Sequence, residues 1–457
     1  MASTSKALYT NNPFEIDRII NKVTLLTIFL FFNFMVTYRV LLVSVIFEVE
    51  IIAEALYEVS LFVYVFYRIL KRIAAGNFRL NSFELYLGLL FILPVVAAFA
   101  SNSEFGQPFI YGFLAYRDFY LILGALVVYN MLRSKIIEIE LVERMLVLTA
   151  WINIIMFYGM TFFVDPAQFI ETGLAGANDV KGGDVYYRFN MAFLFFGTIY
   201  YLVKAVYRKR LKYLIYSFLF LSYVVFIRFD RTSIASLLVG LTAFYLTSLT
   251  PRKQVLLILL FIVPITLLLT FVAFFAPEIL MQYYVMFEDA VSTLVGAANA
   301  QGDESVRLDE VGIALEYIGK NPWWGNGKVS GQWVEGGYNY FFGYFYASDV
   351  GIIGQVFMYG FIGAGLLYYQ FLLALNYALK IKHIKRNVLL ITAKFLMLAT
   401  LFDSITNGYL TIYAAQSITA LSIIYYFYER DKVIGAHLAV EKAQKLQSDR
   451  ETEAQNI

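Results

Sequence analysis

Twelve apolar stretches, each close to the roughly 20 residues a helix needs to cross a bilayer, recur along this chain. They cover 23–47, 51–70, 82–100, 109–131, 145–164, 189–206, 211–227, 232–249, 255–276, 350–375, 388–402 and 408–427. A soluble domain is about 45–50% apolar and about 25% charged. Here 60% of the 457 residues are hydrophobic and 15% charged, more apolar surface than a water-facing fold can hide. A bilayer interior offers no water to satisfy open backbone groups, so such runs must be helices. The chain reads as an all-α polytopic membrane protein of about 12 transmembrane helices.

Orientation comes from charges that played no part in choosing the spans. Short cytoplasmic loops are enriched in Lys and Arg. Lys71/Arg72/Arg79, Arg133/Lys135, Arg208/Lys209/Arg210/Lys212, Arg252/Lys253 and Lys380/Lys382/Lys385/Arg386 fall at every second connection, while 101–108 and 403–407 have none. With Lys6, Arg18 and Lys22 at the start and Arg430 and Lys432 at the end, both termini are expected in the cytoplasm. The segments are then a cytoplasmic start (1–22), spans 1–9 (23–276) with an extracytoplasmic loop at 165–188, a large extracytoplasmic loop between spans 9 and 10 (277–349), spans 10–12 (350–427) and a cytoplasmic tail (428–457). The polar start and the long first apolar run do not fit a cleavable signal peptide. Without cysteine there is no disulfide, Cys-ligated zinc or thiol catalysis. A net charge of +2, spread over short runs, offers nucleic acid no basic patch.

Several local patterns refine this plan. Asn12-Pro13-Phe14-Glu15 reads as a capped helix start, expected to open a short helix lying on the membrane. Residues 305–318 carry Val306, Val311, Ala314, Leu315 and Ile318 at helical spacing, which predicts a surface helix over the membrane face. Asn321-Pro-Trp-Trp-Gly-Asn-Gly then breaks it with turn residues and two interfacial tryptophans. Gly173-Leu-Ala-Gly-Ala-Asn-Asp and the polar chain beyond Ala436 are expected to be flexible.

Ionisable groups in or at the ends of spans are rare and usually functional. Arg228-Phe-Asp-Arg231 joins two spans in a tight outer hairpin, Arg117 and Asp118 lie in the outer part of the fourth span, Arg39 in the outer half of the first, Arg188 at the entry to the sixth, and Arg307 in the large loop. These arginines gather on the extracytoplasmic side, against its usual charge bias. A guanidinium fork binds phosphate oxygens in bidentate fashion, so the group suits a lipid-linked pyrophosphate at membrane level. The plainer alternatives are an intramembrane ion pair for Arg117 with Asp118, and snorkelling for Arg228 and Arg231. The two histidines, His383 and His437, fall in a cytoplasmic loop and the tail, leaving no extracytoplasmic histidine for base catalysis or metal binding.

The hairpin followed by Arg231-Thr-Ser-Ile-Ala-Ser-Leu-Leu-Val-Gly, Arg307 leading to Asn321-Pro-Trp-Trp-Gly-Asn-Gly, then Asp349-Val-Gly-Ile-Ile-Gly and Tyr359-Gly-Phe-Ile-Gly, resembles the bacterial O-antigen polymerase and O-antigen ligase superfamily over about 189–369. The resemblance implies a multi-pass protein of the bacterial inner membrane, acting on undecaprenyl-pyrophosphate-linked oligosaccharide as donor and acceptor, with chain-length regulators and flippases as protein partners and no metal or cofactor. It also implies that Arg228 or Arg231, with Arg307, holds the donor pyrophosphate, Arg117 and Arg188 being further candidates. Ligases of this superfamily place a His-Asn pair where this chain has Ser348-Asp349-Val350, so a polymerase is the better match.

Glycosyl transfer from a lipid pyrophosphate builds charge on the leaving oxygen, which fixed arginines stabilise, and needs a carboxylate to take the acceptor's proton. Asp349 is the first candidate base and Glu310 the next, with Asp309, Glu335 and Asp230 behind them; capping of the tenth span is the alternative role for Asp349. A flippase or other transporter is the rival reading. The charges collect at one face and no internal repeat is visible, which favours an enzyme.

Overall fold

The computed structural model describes residues 13–38, 47–76, 79–165, 178–181, 184–187, 190–228, 231–251, 254, 266, 270, 274, 281 and 303–455. These are overwhelmingly helical. Helices α1 (Pro13–Thr37), α2 (Phe47–Ala74) and α3 (Ser82–Phe105) are followed by α4 (Phe109–Leu114), a 3₁₀ segment (Arg117–Leu121) and α5 (Ile122–Arg133). Then come α6 (Ile139–Phe163), α7 (Ala192–Arg208), α8 (Leu211–Ser222) with a π segment (Tyr223–Arg228), and α9 (Arg231–Ser248). The large loop contributes α10 (Asp303–Lys320) and α11 (Asn339–Phe342), and α12 (Gly351–Lys380), α13 (Val388–Thr406) and α14 (Tyr409–Gln455) complete the chain. By length and composition α3, α6, α12 and α13 can cross a membrane; 24–37, 211–227 and 232–248 are shorter apolar helices.

The structure changes the expected boundaries in instructive ways. The helix from Pro13 runs unbroken to Thr37, so there is no separate surface helix before the first span; Asn12 and Arg39 lie outside the described residues. The fourth apolar run is two helices around the 3₁₀ segment that holds Arg117 and Asp118. An all-α fold gains a two-stranded hairpin, β1 (Asn178–Lys181) and β2 (Asp184–Tyr187), paired antiparallel with Asn178 opposite Tyr187 and Lys181 opposite Asp184. Beyond Ala436 the chain is helical to Gln455 rather than flexible, because Ala, Glu, Lys and Gln dominate there and favour helix without help from packing. Residues 173–177 lie outside the described set.

Helices α13 and α14 form the centre: α13 packs against α7, α9, α12 and α14, and α14 against α5, α12 and the 3₁₀ segment. Polar contacts tie the helix ends into two sets. In one, Glu84 caps α3 with Asn81 and receives Arg72 at 2.7 Å and Arg133 at 4.0 Å. In the same set the Tyr129 hydroxyl donates to Glu429 (2.7 Å), and the buried Asp431 carboxylate accepts the N–H groups of Lys382, His383 and Ile384 at 2.7–3.0 Å. Burial pushes Asp431 up, but these three donors outweigh it and hold the group below the usual carboxylate value. In the other set the buried Gln107 amide donates to Lys328 O (2.9 Å) and accepts from Ser330 N (2.7 Å), so the connection after α3 grips the large loop.

Candidate functional site

The site begins with a helix that cannot continue. Gly360 in α12 has φ 65° and ψ 178°, a conformation that only glycine adopts readily, so the helix breaks after Tyr359. Asn321-Pro-Trp-Trp-Gly-Asn-Gly fills the gap. Asn326 N and Gly327 N donate to Phe357 O (2.8 Å) and Met358 O (3.0 Å), and on the far side of the break Phe361 N and Ile362 N donate to Pro322 O (2.8 Å) and Trp323 O (3.3 Å). The loop thus satisfies backbone groups that the break leaves open. Gly325 and Gly327, both at φ 74°, let it approach: a Cβ on Gly325 would strike Gly360 and Met358, one on Gly327 the Ala97 carbonyl, and one on Gly360 the Trp323 backbone. Asn321 locks the loop from outside, donating to Glu104 (2.8 Å) and to Asn326 (2.9 Å).

The break also sets the level of the site. Trp323 and Trp324 are 61% and 57% exposed, as expected of interfacial tryptophans. From Gly360 to Lys380 a helix rises about 30 Å, one hydrocarbon thickness, and residues 351–359 extend beyond that stretch. This upper piece is turned aside. Gly351 rests on the Ile405 backbone, yet the Tyr368 hydroxyl donates to Ser404 O (2.6 Å). A straight helix would separate those two positions of α12 by about 25 Å, further than a tyrosine side chain can bridge.

Beside this upper piece the chain gathers carboxylates. Glu310 is buried on α10 and accepts the Tyr346 N–H at 2.8 Å. Burial raises its carboxyl above the ordinary value; the Tyr346 bond opposes this, the nearby negative charge of Asp349 adds to it, and Arg307 opposes it. Asp349 is half-buried and accepts the Ser348 hydroxyl at 3.1 Å. It does not cap α12: the cap position is Val350, with no side-chain bond, and the Asp349 N–H turns back to Tyr346 O (2.9 Å). Glu310 and Asp349, far apart in the loop, therefore form one neighbourhood, with Arg307 three residues before Glu310 on α10. Of the residues at helical spacing on α10, Ala314 is buried and Val311 and Ile318 partly so, whereas Val306 and Leu315 are exposed.

A contact chain leads from there to the hairpin. Gly408 N donates to Ser348 O (2.5 Å); Asn407, beside it, reaches the buried Asp403 carboxylate (3.3 Å), which also accepts from Ser236 (3.4 Å) on the second turn of α9. Arg231 is the first residue of that helix and Arg228 the last of the π segment. The side chains of both, and all of Asp230 and Arg188, lie outside the described residues. Arg117 stands elsewhere, paired with its neighbour Asp118 at 3.7 Å in the 3₁₀ segment. Asp309 and Glu335 are exposed. Asp403 escaped the sequence reading, although a lone carboxylate at the end of an otherwise apolar run was a signal in plain view.

Residues 215–368 match the O-antigen ligase family. The matched stretch runs from α8 through the hairpin, α10 and the inserted loop into α12 past its break, the same residues that carried the superfamily resemblance. The match implies a membrane enzyme of glycosyl transfer working on lipid-linked oligosaccharide. A comparison with curated proteins finds no match.

Proposed function

We propose that this O-antigen-ligase-family protein is a polysaccharide polymerase of the bacterial inner membrane, transferring a growing glycan from undecaprenyl pyrophosphate to the incoming lipid-linked repeat unit on the periplasmic face. The carrying observation is the nearness of Glu310 to Asp349, with Arg307 on the same helix as Glu310, and the connection through Ser348, Gly408 and Asp403 to the helix that Arg231 begins. The proposal includes twelve spans with both termini inside. It is supported by the two sets of loop contacts, since the basic connections around Arg72 and Arg133 meet each other and the 101–108 connection, which has no Lys or Arg, meets the large loop.

In the proposed reaction Arg228, Arg231 and Arg307 hold the pyrophosphate, with Arg188 on its approach; Arg117, paired with Asp118, stands apart. The acceptor hydroxyl attacks the anomeric carbon of the donor sugar and loses its proton to Asp349. The carbon–oxygen bond to the pyrophosphate breaks, and undecaprenyl pyrophosphate leaves with the electron pair. Guanidinium groups at the leaving oxygen bind the transition state more tightly than the ground state, because charge grows there as the bond breaks. Glu310, whose carboxyl is raised by burial, lies beside Asp349 as the second candidate to take the proton.

A second reading, transfer of the finished glycan to a different acceptor, is favoured by the description of the matched family; Ser348-Asp349-Val350, in place of the His-Asn pair of ligases, speaks against it. Purified protein in nanodiscs with lipid-linked repeat units separates the readings. A ladder of products supports the polymerase, a single product on another acceptor replaces it with the ligase, and lipid translocation without a new glycosidic bond replaces both with a flippase. Asp349→Asn should lower turnover at least about 100-fold while lipid-donor binding persists; full turnover would remove Asp349 from the chemistry.

A further inference from the structure

A second polar cluster lies beside the broken helix, away from the carboxylates. Two interrupted helices meet there: the 3₁₀ segment at Arg117–Leu121 and the break at Gly360, with the Tyr116 and Tyr359 rings 5.5 Å apart. Tyr116, Tyr120 and Tyr359 are 2%, 3% and 3% exposed, and Gln355, one turn before Tyr359 on the same face, is fully buried. None of the three hydroxyls, nor either end of the Gln355 amide, has a hydrogen-bond partner among the described residues. The hydroxyls lie within electrostatic range of one another, and Tyr120 within range of Glu58.

Buried polar atoms are nearly always partnered, and a concentration of exceptions at one spot asks for a missing occupant. Two measures of depth agree on where that occupant would sit. A helical rise of about 30 Å from Gly360 to Lys380 and about 28 Å from Tyr116 to Arg133 puts the cluster at the outer interface, where a glycan rather than an acyl chain is found. The unpartnered groups are buried neutral hydroxyl and amide, each able to donate and accept, framed by aromatic rings. An anion would lack cations here, since Arg117 is engaged by Asp118. Sugar hydroxyls are the complementary chemistry.

We propose that the junction of the two broken helices is an occluded saccharide subsite, in which Tyr116, Tyr120, Tyr359 and Gln355 hydrogen-bond hydroxyls of the lipid-linked glycan. It rests on the reading of the chain as acting on such glycans. The upper piece of α12, residues 351–359, spans about 13 Å between this cluster and the Asp349 end, so the sugars held here lie a few units along the chain from the bond that forms. The subsite measures the repeat unit; the carboxylates and arginines act on its end.

The test is binding of the water-soluble oligosaccharide released by mild acid from the lipid-linked intermediates of the cells that make this protein, measured by calorimetry on the full chain in lipid nanodiscs, free of sugar-headed detergent. Wild type should bind it, Tyr359→Phe and Gln355→Met should each weaken binding about tenfold for one lost hydrogen bond, and Arg231→Ala should bind as wild type because the probe carries no pyrophosphate. Both cluster variants shed a buried unpartnered group and should fold at least as well as wild type. A wild type that forms polymer from lipid-linked units yet does not bind the free oligosaccharide overturns the subsite and leaves the polymerase standing. Unchanged binding in both variants, with only a gain in thermal stability, assigns the cluster to buried water and also overturns it. If no glycosidic bond forms in any assay while the binding pattern holds, the enzyme reading fails and the subsite survives.

Discussion

Replacing Gly360 with alanine strikes the joint between membrane helix and outer loop. At φ 65°, ψ 178° the new Cβ is strained in any surroundings, and it would meet the Trp323 backbone, which cannot move without carrying the loop with it. If the loop gives slightly, the loss is the backbone strain, about 1–3 kcal/mol. If it is expelled, the four bonds from Asn326 N, Gly327 N, Phe361 N and Ile362 N are lost, at about 0.5–1.5 kcal/mol net each. The expected destabilisation is therefore between about 1 and 6 kcal/mol. Gly365 on the same helix is the control: it is exposed, keeps φ negative and has nothing within 4 Å of a would-be Cβ, so Gly365→Ala should be neutral or slightly stabilising. Hydrogen exchange reads the joint directly, because those four amides are protected by bonds across the break. Gly360→Ala should expose them and lower the unfolding temperature in nanodiscs. Equal protection of the four amides in the two variants would show that the loop is not held by the break, and the account of the site's foundation would fall with it.

Arg231→Ala and Arg307→Ala should each reduce long-chain product at least about 100-fold while the protein still inserts, and lysine at either position should restore it only in part; normal chain lengths in both alanine variants would remove the proposed pyrophosphate site. Because burial raises Glu310, its folded-state value exceeds the unfolded one. Its contribution to stability is then present below the unfolded value and fades as pH rises through the folded one, and Glu310→Gln should flatten the stability profile across that interval in pH-dependent thermal unfolding. Asp431 behaves in the opposite sense: its folded value is depressed, so the three N–H bonds stabilise above the unfolded carboxylate value and are lost as pH falls through the folded one. Asp431→Asn should be less stable than wild type at neutral pH and lose the wild type's further decline in acid.

How much of this could be read beforehand depends on the range of the cause. The apolar runs and the Arg and Lys residues between them are local, and they pointed correctly to helices and to the surface helix in the large loop. The hairpin was also legible, although it was read only as flexible loop: Gly182-Gly183 between Asn178–Lys181 and Asp184–Tyr187 is a two-residue hairpin connection flanked by valines. The break in α12 was half legible. Gly360 stood in a quoted motif, yet a glycine in an apolar run is compatible with an unbroken helix, and it breaks here because a loop some 35 residues earlier offers better partners for the backbone. The split of the fourth span at Arg117 gave no warning of its own in hydropathy.

Taken alone, then, the sequence determined that the chain is a multi-pass membrane protein and that it is overwhelmingly helical. Each of those follows from transfer free energies and backbone satisfaction, which act residue by residue. Tertiary structure alone decided which charges meet. Glu310 and Asp349 become one site because α10 folds back beside the start of α12, Asp403 joins because α9 packs on α13, and Arg117 stays with Asp118. A carboxylate's neighbours lie across the fold and not along the chain, so no window of sequence contains them.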